Sequence, residues 1–90
     1  MLTRRIEIIN KLGLHARAAA KFVGVANQYE CDVRIGNTEE NLVNGKSIMQ
    51  VMMLAAAKGS AVCIQCEGPQ ADQAMADLCG LIDNYFEEGE

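Results

Sequence analysis

His15 and Arg17 are the residues of this sequence whose types and spacing could carry chemistry. His15 is the one histidine in the chain, and it lies in Lys11-Leu12-Gly13-Leu14-His15-Ala16-Arg17-Ala18-Ala19-Ala20-Lys21-Phe22-Val23. Gly13 allows a sharp turn, and the alanines from Ala16 onward begin a helix, which places His15 at or next to the N-cap. The first amide N–H groups of a helix lack partners within it and together carry roughly half a positive charge. An anion is therefore favoured there. Arg17 adds a forked guanidinium whose geometry suits phosphate oxygens. An imidazole that titrates near neutral pH can attack phosphorus and hold a phosphoryl group beside such a cradle. A lone histidine at a helix start is also an ordinary, partly exposed cap, so the rest of the chain has to weigh the two readings.

Gly13-Leu14-His15-Ala16-Arg17, followed by Ala19-Ala20, resembles the active-site signature of HPr, the histidine phosphocarrier family of the phosphoenolpyruvate-dependent phosphotransferase system. A second segment, Asn44-Gly45-Lys46-Ser47-Ile48-Met49, lies at the distance that family expects, and the resemblance runs through almost the whole chain. It implies a phosphoryl group carried on Nδ1 of His15, steadied by the Ala16 and Arg17 backbone amides and by the Arg17 guanidinium. The donor would be an enzyme I-like protein charged from phosphoenolpyruvate, and the acceptor a histidine of an EIIA-like protein. Such a chain is a phosphocarrier with a transient phosphohistidine, at most a component of a phosphotransferase rather than a stand-alone enzyme. It is expected to need no cofactor and no metal, and to work as a monomer.

The elements that must position His15 can be read from periodicity. Leu2 to Ile9 alternates as a half-buried strand with Ile6 and Ile8 inward. Asn10 to Leu14 is the loop that delivers His15. A helix from about Ala16 to Gln28 buries Ala19, Phe22, Val23 and Ala26, spaced i, i+3, i+4 and i+7, and turns Arg17, Lys21, Gly24 and Gln28 outward. Cys31 to Ile35 and Glu40 to Val43 read as a hairpin around Gly36-Asn37. Ser47 reads as the N-cap of a helix reaching about Ala57 and closed by Lys58-Gly59. A strand over Ser60 to Glu67 points Val62, Ile64 and Cys66 inward. Gly68-Pro69 breaks it and lets Pro69 start a last helix, whose apolar stripe runs from Ala71 through Tyr85. Glu87 to Glu90 reads as a frayed acidic tail.

The order strand, helix, strand, strand, helix, strand, helix predicts a two-layer α/β (α+β) sandwich with an antiparallel sheet. The resemblance implies the more specific form, an open-faced sandwich of four strands with three helices on one side, in a single domain over residues 1–90.

The second helix is unusual, since Gln50 is the one polar residue among Ile48, Met49, Val51, Met52, Met53 and Leu54. A domain of this size cannot surround such a helix, so part of it must face water, and methionine suits a surface that accepts several partners. By the resemblance, Ile48, Met49 and Met52, with Ala20 of the first helix, form the docking surface for donor and acceptor. Ser47 has two readings, an N-cap and, as in some HPr proteins, a regulatory phosphorylation site.

Leu12 and Ala18 depart from the pattern of sugar-transport HPr, which usually has a small polar residue and a proline at these positions. Together with Lys11-Leu12-Gly13 and Val51-Met52-Met53-Leu54-Ala55-Ala56, they resemble the nitrogen-related branch, NPr. That branch implies regulation of nitrogen metabolism rather than sugar uptake. General sugar-transport HPr is the alternative, and a docking module without phosphotransfer is a third reading, disfavoured because docking needs neither His15 nor Arg17.

The net charge of −4 argues against a nucleic-acid surface. No apolar run approaches the roughly 20 residues of a membrane helix, and nothing hydrophobic follows Arg4-Arg5 as an export signal requires, so a cytoplasmic location is expected. Of the four cysteines, Cys63 and Cys66 have redox-pair spacing but fall on a strand, where residues three apart face opposite ways. Reactive pairs of this kind start a helix instead, so reduced structural thiols are expected.

Overall fold

In the computed structural model, which describes residues 1–89, strand β1 (Leu2–Glu7) leads through a loop to helix α1 (Ala16–Ala26). Strands β2 (Asp32–Gly36) and β3 (Leu42–Asn44) follow, then α2 (Ile48–Met53), β4 (Ala61–Glu67) and α3 (Ala71–Asp83), with a tight turn at Tyr85–Glu87. The strands form one antiparallel sheet in the order β1-β4-β2-β3. β4 holds the centre, pairing Ile6 with Val62 on one side and Ile35 with Ile64 on the other. The three helices cover one face of the sheet, which makes an open-faced α+β sandwich.

The alternation of the strands decides which face is covered. Val33, Ile35, Val62, Ile64 and Cys66 are buried beneath the helices, against Ala19, Phe22, Val23 and Ala26 of α1 and Ala74, Leu78 and Ile82 of α3. Cys63 is also buried but stands apart from this core, on the opposite parity of β4, where the Arg5 guanidinium reaches its Sγ at 3.5 Å. The two cysteines of the Cys63–Cys66 pair thus lie on opposite faces of the sheet, as strand geometry requires. All four cysteines are free thiols, and burial pushes Cys66 up to about 11.

Several boundaries differ from the sequence expectation. α2 ends at Met53 instead of Ala57, because Ala55 turns into the left-handed region at φ 51°. Lys58-Gly59 therefore belongs to the turn into β4 and caps no helix. α3 starts at Ala71 rather than Pro69. Its N-cap is Gln70, held at φ 65° with no side-chain cap bond. Tyr85 lies beyond α3 and is 38% exposed, so it does not continue the stripe.

The largest departure is the tail. Instead of fraying, it turns through Tyr85, Phe86 and Glu87 with φ of 55°, 51° and 64°, and Phe86 is fully buried. Three successive side chains in the left-handed region are strained, and such a turn persists only where its surroundings fix it. Packing of Phe86 into the core and a bond from the Glu88 N–H to the Tyr85 carbonyl at 2.9 Å do so here. Glu90, part of the same expected tail, lies outside the described residues.

Candidate functional site

His15 is the N-cap of α1, as its sequence context requires, with extended backbone at φ −77° and ψ −179°. Its ring accepts a hydrogen bond at Nδ1 from the Arg17 backbone N–H at 3.3 Å. The imidazole thus does the work that serine or aspartate does at most helix starts. No acidic residue occupies the first turn of α1, so the amide end stays free of a carboxylate of its own helix.

The loop before His15 is fixed by contacts that the sequence does not show. Gly13 has φ +67°, and a Cβ there would lie 2.9 Å from the Ala57 Cα and closer still to the Ala56 carbonyl oxygen. Next to it, the Leu14 N–H donates to that carbonyl at 2.8 Å. The histidine loop is therefore pressed onto the segment that leaves α2, which brings α2 beside His15. Asn10, fully buried, donates its amide to the Gly13 carbonyl at 2.8 Å and ties the loop from within.

The other side of the imidazole faces the tail. Nε2 is shielded from solvent and lies 2.8 Å from the Glu88 Oε2, although this contact is not aligned as a full hydrogen bond. Glu88 Oε1 accepts from the Asn10 amide at 3.3 Å. The close contact with His15, helped by Arg17 and Asn10 and opposed by partial burial, holds the Glu88 carboxyl below its ordinary range. Asn10 Oδ1 is left buried without a partner. Both amide donors are in use, on the Gly13 carbonyl and the Glu88 carboxylate. Flipping the amide would set oxygen against oxygen.

Around this centre, Lys11, Leu12, Arg17 and Glu88 line a shallow hollow of about 240 Å³. Ala16, Arg17 and Ala20 are exposed on α1. On α2, Val51 is buried, while Ile48 is 43% exposed, Met49 70% and Met52 37%. Ser47 caps α2, its hydroxyl accepting from the Gln50 N–H at 3.4 Å. The structure thus brings His15 and the Arg17 amide together and leaves the Arg17 side chain in solvent at the edge of the hollow. Among the described residues, no group of three or more His, Cys, Asp and Glu side chains is placed to hold a metal ion, and no helix is long and apolar enough to cross a membrane.

Residues 2–84 match the family model described as PTS HPr component phosphorylation site. The chain belongs to the HPr family. The phosphocarrier protein HPr of Pseudomonas aeruginosa is 62% identical over 85 residues, 94% of each chain, and that of Pseudomonas putida is 59% identical over the full length of both. The phosphocarrier protein NPr of Klebsiella oxytoca is more distant, 36% identical over 92% of each chain. Among solved structures, HPr-C-His from Thermoanaerobacter tengcongensis superposes with a TM-score of 0.91 at 39% identity, covering 98% of each chain.

Membership in the HPr family makes this chain a phosphocarrier of the phosphotransferase system. Proteins of this family receive a phosphoryl group from enzyme I and pass it to EIIA-type proteins. Sequence reasoning missed Glu88 and Asn10. A carboxylate in an acidic tail carries no periodicity, and Asn10 reads as one more loop residue. It left out of the candidate surface two large exposed apolar side chains, Leu12 of the histidine loop, 67% exposed, and Met53 at the end of α2, 78% exposed.

Proposed function

We propose that this HPr-family chain carries its phosphoryl group on Nδ1 of His15. The observation that carries the reading is the asymmetry of the ring. Nε2 is shut off behind Glu88, whereas Nδ1 lies on the side of the α1 amide end and accepts from Arg17. A neutral imidazole with its lone pair at Nδ1 attacks phosphorus in line, and the Ala16 and Arg17 amides then meet the phosphoryl oxygens. The Arg17 guanidinium, free in solvent at the hollow's edge, swings onto the same oxygens. The partner surface is Ala20 with Ile48, Met49 and Met52, an apolar face beside the nucleophile. The chain acts in the cytoplasm as a monomer, with enzyme I-like and EIIA-like proteins as its partners.

The test is incubation with enzyme I and phosphoenolpyruvate. An acid-labile, base-stable modification is expected on His15. His15→Ala is expected to abolish it, and Arg17→Ala to slow transfer with the fold intact. Label that survives His15→Ala at an unchanged rate would overturn the assignment.

Two branches of the family divide this function. The general HPr reading leads, because the relatives of highest identity carry that name. The nitrogen-related reading is favoured by one specific feature: Leu12 is exposed and Ala18 is buried where sugar-transport carriers usually have a small polar residue and a proline. Phosphorylation by a nitrogen-system enzyme I in preference to a sugar-system one would decide for it. For Ser47 the cap explains the residue, and regulatory phosphorylation rests on the Lys46-Ser47-Ile48-Met49 resemblance alone.

A further inference from the structure

The peptide unit that joins Gly13 to Leu14 is held at both ends. Its carbonyl accepts from the Asn10 side-chain amide at 2.8 Å, and its N–H donates to the Ala56 carbonyl at 2.8 Å. In a trans peptide these two groups point in opposite directions, so the pair of bonds fixes the rotation of the plane. Asn10 also closes the turn that leads there, its backbone carbonyl accepting from the Gly13 N–H at 3.2 Å. Asparagine first and glycine fourth is an order that such turns favour. Just before the turn, the Ile8 N–H donates to the Ser60 carbonyl and the Ile8 carbonyl accepts from the Gly59 N–H, each at 2.8 Å. Between these backbone ties lies Asn10. Among the described residues it is the one polar or charged side chain that is buried, at 0% exposure. Burying an amide costs free energy that an apolar side chain of the same size would not incur.

We propose that Asn10 is a positioning residue for phosphotransfer: by holding the Gly13–Leu14 peptide against Ala56, it sets the His15 ring so that Nδ1 meets the incoming phosphorus in line. The proposal rests on the reading of His15 as the phosphoryl-bearing residue. One residue, Leu14, separates the clamped peptide from His15, and its side chain is buried. On the far side, the His15 carbonyl accepts from the Ala19 N–H at 2.9 Å. The histidine is thus suspended between two fixed points, and the placement of its ring depends on both.

In the transfer, the Nδ1 lone pair forms the N–P bond. The bond from phosphorus to the donor's leaving group breaks, and its electron pair stays on the donor. No proton has to move in that step. It needs the reacting atoms aligned at about 3–3.5 Å, and a misplacement of about 1 Å costs on the order of a hundredfold in rate. Asn10 does not touch the ring, so its effect passes through the backbone. Its other contact, to the Glu88 Oε1 at 3.3 Å, is longer and leads to the tail.

The experiment mixes enzyme I, already phosphorylated from phosphoenolpyruvate, with excess chain and follows the transfer rate against chain concentration. The chains are wild type, Asn10→Ala and Asn10→Leu. Leucine fills the space of asparagine without a donor or an acceptor, which keeps the interior packed. In both variants the saturating rate is expected to fall about tenfold. The half-saturating concentration is expected to stay within about twofold, since Ile48, Met49 and Met52 are untouched. The Arg17 amide proton, which donates to Nδ1, is expected to exchange faster with solvent. Leu78→Ala, fully buried in α3, is the control for lost stability alone, and its saturating rate is expected to match the wild type's. The Asn10→Ala loss is expected to be the same in a Glu88→Ala background.

A wild-type saturating rate in folded Asn10→Leu would overturn the proposal. So would an equal loss in Leu78→Ala, an effect carried wholly by the half-saturating concentration, or an effect that vanishes without Glu88. The wild-type chain supplies a measurement that needs no variant. Its Asn10 side-chain amide protons are expected to exchange slowly, and exchange at the rate of a free amide would also overturn the proposal. A wild-type chain that forms no phosphohistidine at His15 would instead bring down the underlying reading of the site.

Discussion

Leu14 and Ala56 are joined by a single backbone hydrogen bond of 2.8 Å, from the Leu14 N–H to the Ala56 carbonyl. That bond connects the loop before His15 to the chain leaving α2, two segments about forty residues apart in sequence. It sets the start of α1, with His15, beside α2 and its exposed Ile48, Met49 and Met52.

Gly13 makes this closeness possible. Gly13→Ala would force a side chain into the left-handed region at φ +67° and against the Ala56–Ala57 backbone. It is expected to destabilise the fold by about 1–3 kcal/mol in urea denaturation and to slow phosphorylation. Gly24→Ala is the internal control. Gly24 lies within α1 with nothing near its absent Cβ, and the change is expected to stabilise by about 0.5–1 kcal/mol.

Met49 and Met52 separate binding from folding. Exchanging both for Glu is expected to weaken partner binding about tenfold or more by calorimetry. Stability should stay within about 0.5 kcal/mol, since both side chains are exposed. Val51→Ala should do the reverse. Val51 is fully buried, so its truncation is expected to cost about 2 kcal/mol and leave the docking face in place.

Loss of the cap at Ser47 is a smaller effect. Ser47→Ala is expected to cost about 0.5–1 kcal/mol, at the low end for a cap because its bond is long at 3.4 Å. Hydrogen exchange should rise at the start of α2, a helix too short to hold without its cap and its packing.

The thiols should prove inert in the native state. Cys31, Cys63, Cys66 and Cys79 are buried, and desolvation raises both Cys66 and Cys79. A thiol-specific reagent at about pH 8 is expected to react with fewer than one thiol per chain in native protein, and with all four after denaturation.

Docking of the tail should depend on pH in one direction. The Glu88 carboxyl lies below its ordinary value of 4.5 in the folded chain, so an undocked tail takes up the proton first as pH falls. Its contribution is complete above that ordinary value and is lost as pH falls through the depressed one. Protection factors at Phe86 and Glu88, measured by NMR hydrogen exchange and corrected for the intrinsic rate at each pH from about 6 to about 3, are expected to fall in that range, and Glu88→Gln is expected to remove the dependence.

Much of this molecule is written in local pattern. The i, i+3, i+4, i+7 spacing of Ala19, Phe22, Val23 and Ala26, the alternation of Val62, Ile64 and Cys66, and the cap residues His15 and Ser47 determine which segments form which elements and which faces they bury. The order of those elements and the hydrophobic α2 follow from the sequence as well, because each depends on neighbours within a few residues. The end of α2 at Met53, the left-handed turn through Phe86 and the contact between Glu88 and His15 were decided by the tertiary structure alone. Each depends on a partner dozens of residues away. A single buried asparagine, Asn10, and a single turned-back carboxylate leave no periodic trace in the sequence. The sequence by itself determined the fold and the place of His15 at the start of α1; the surroundings of its second nitrogen exist only once the chain has closed on itself, because distant groups meet only through packing.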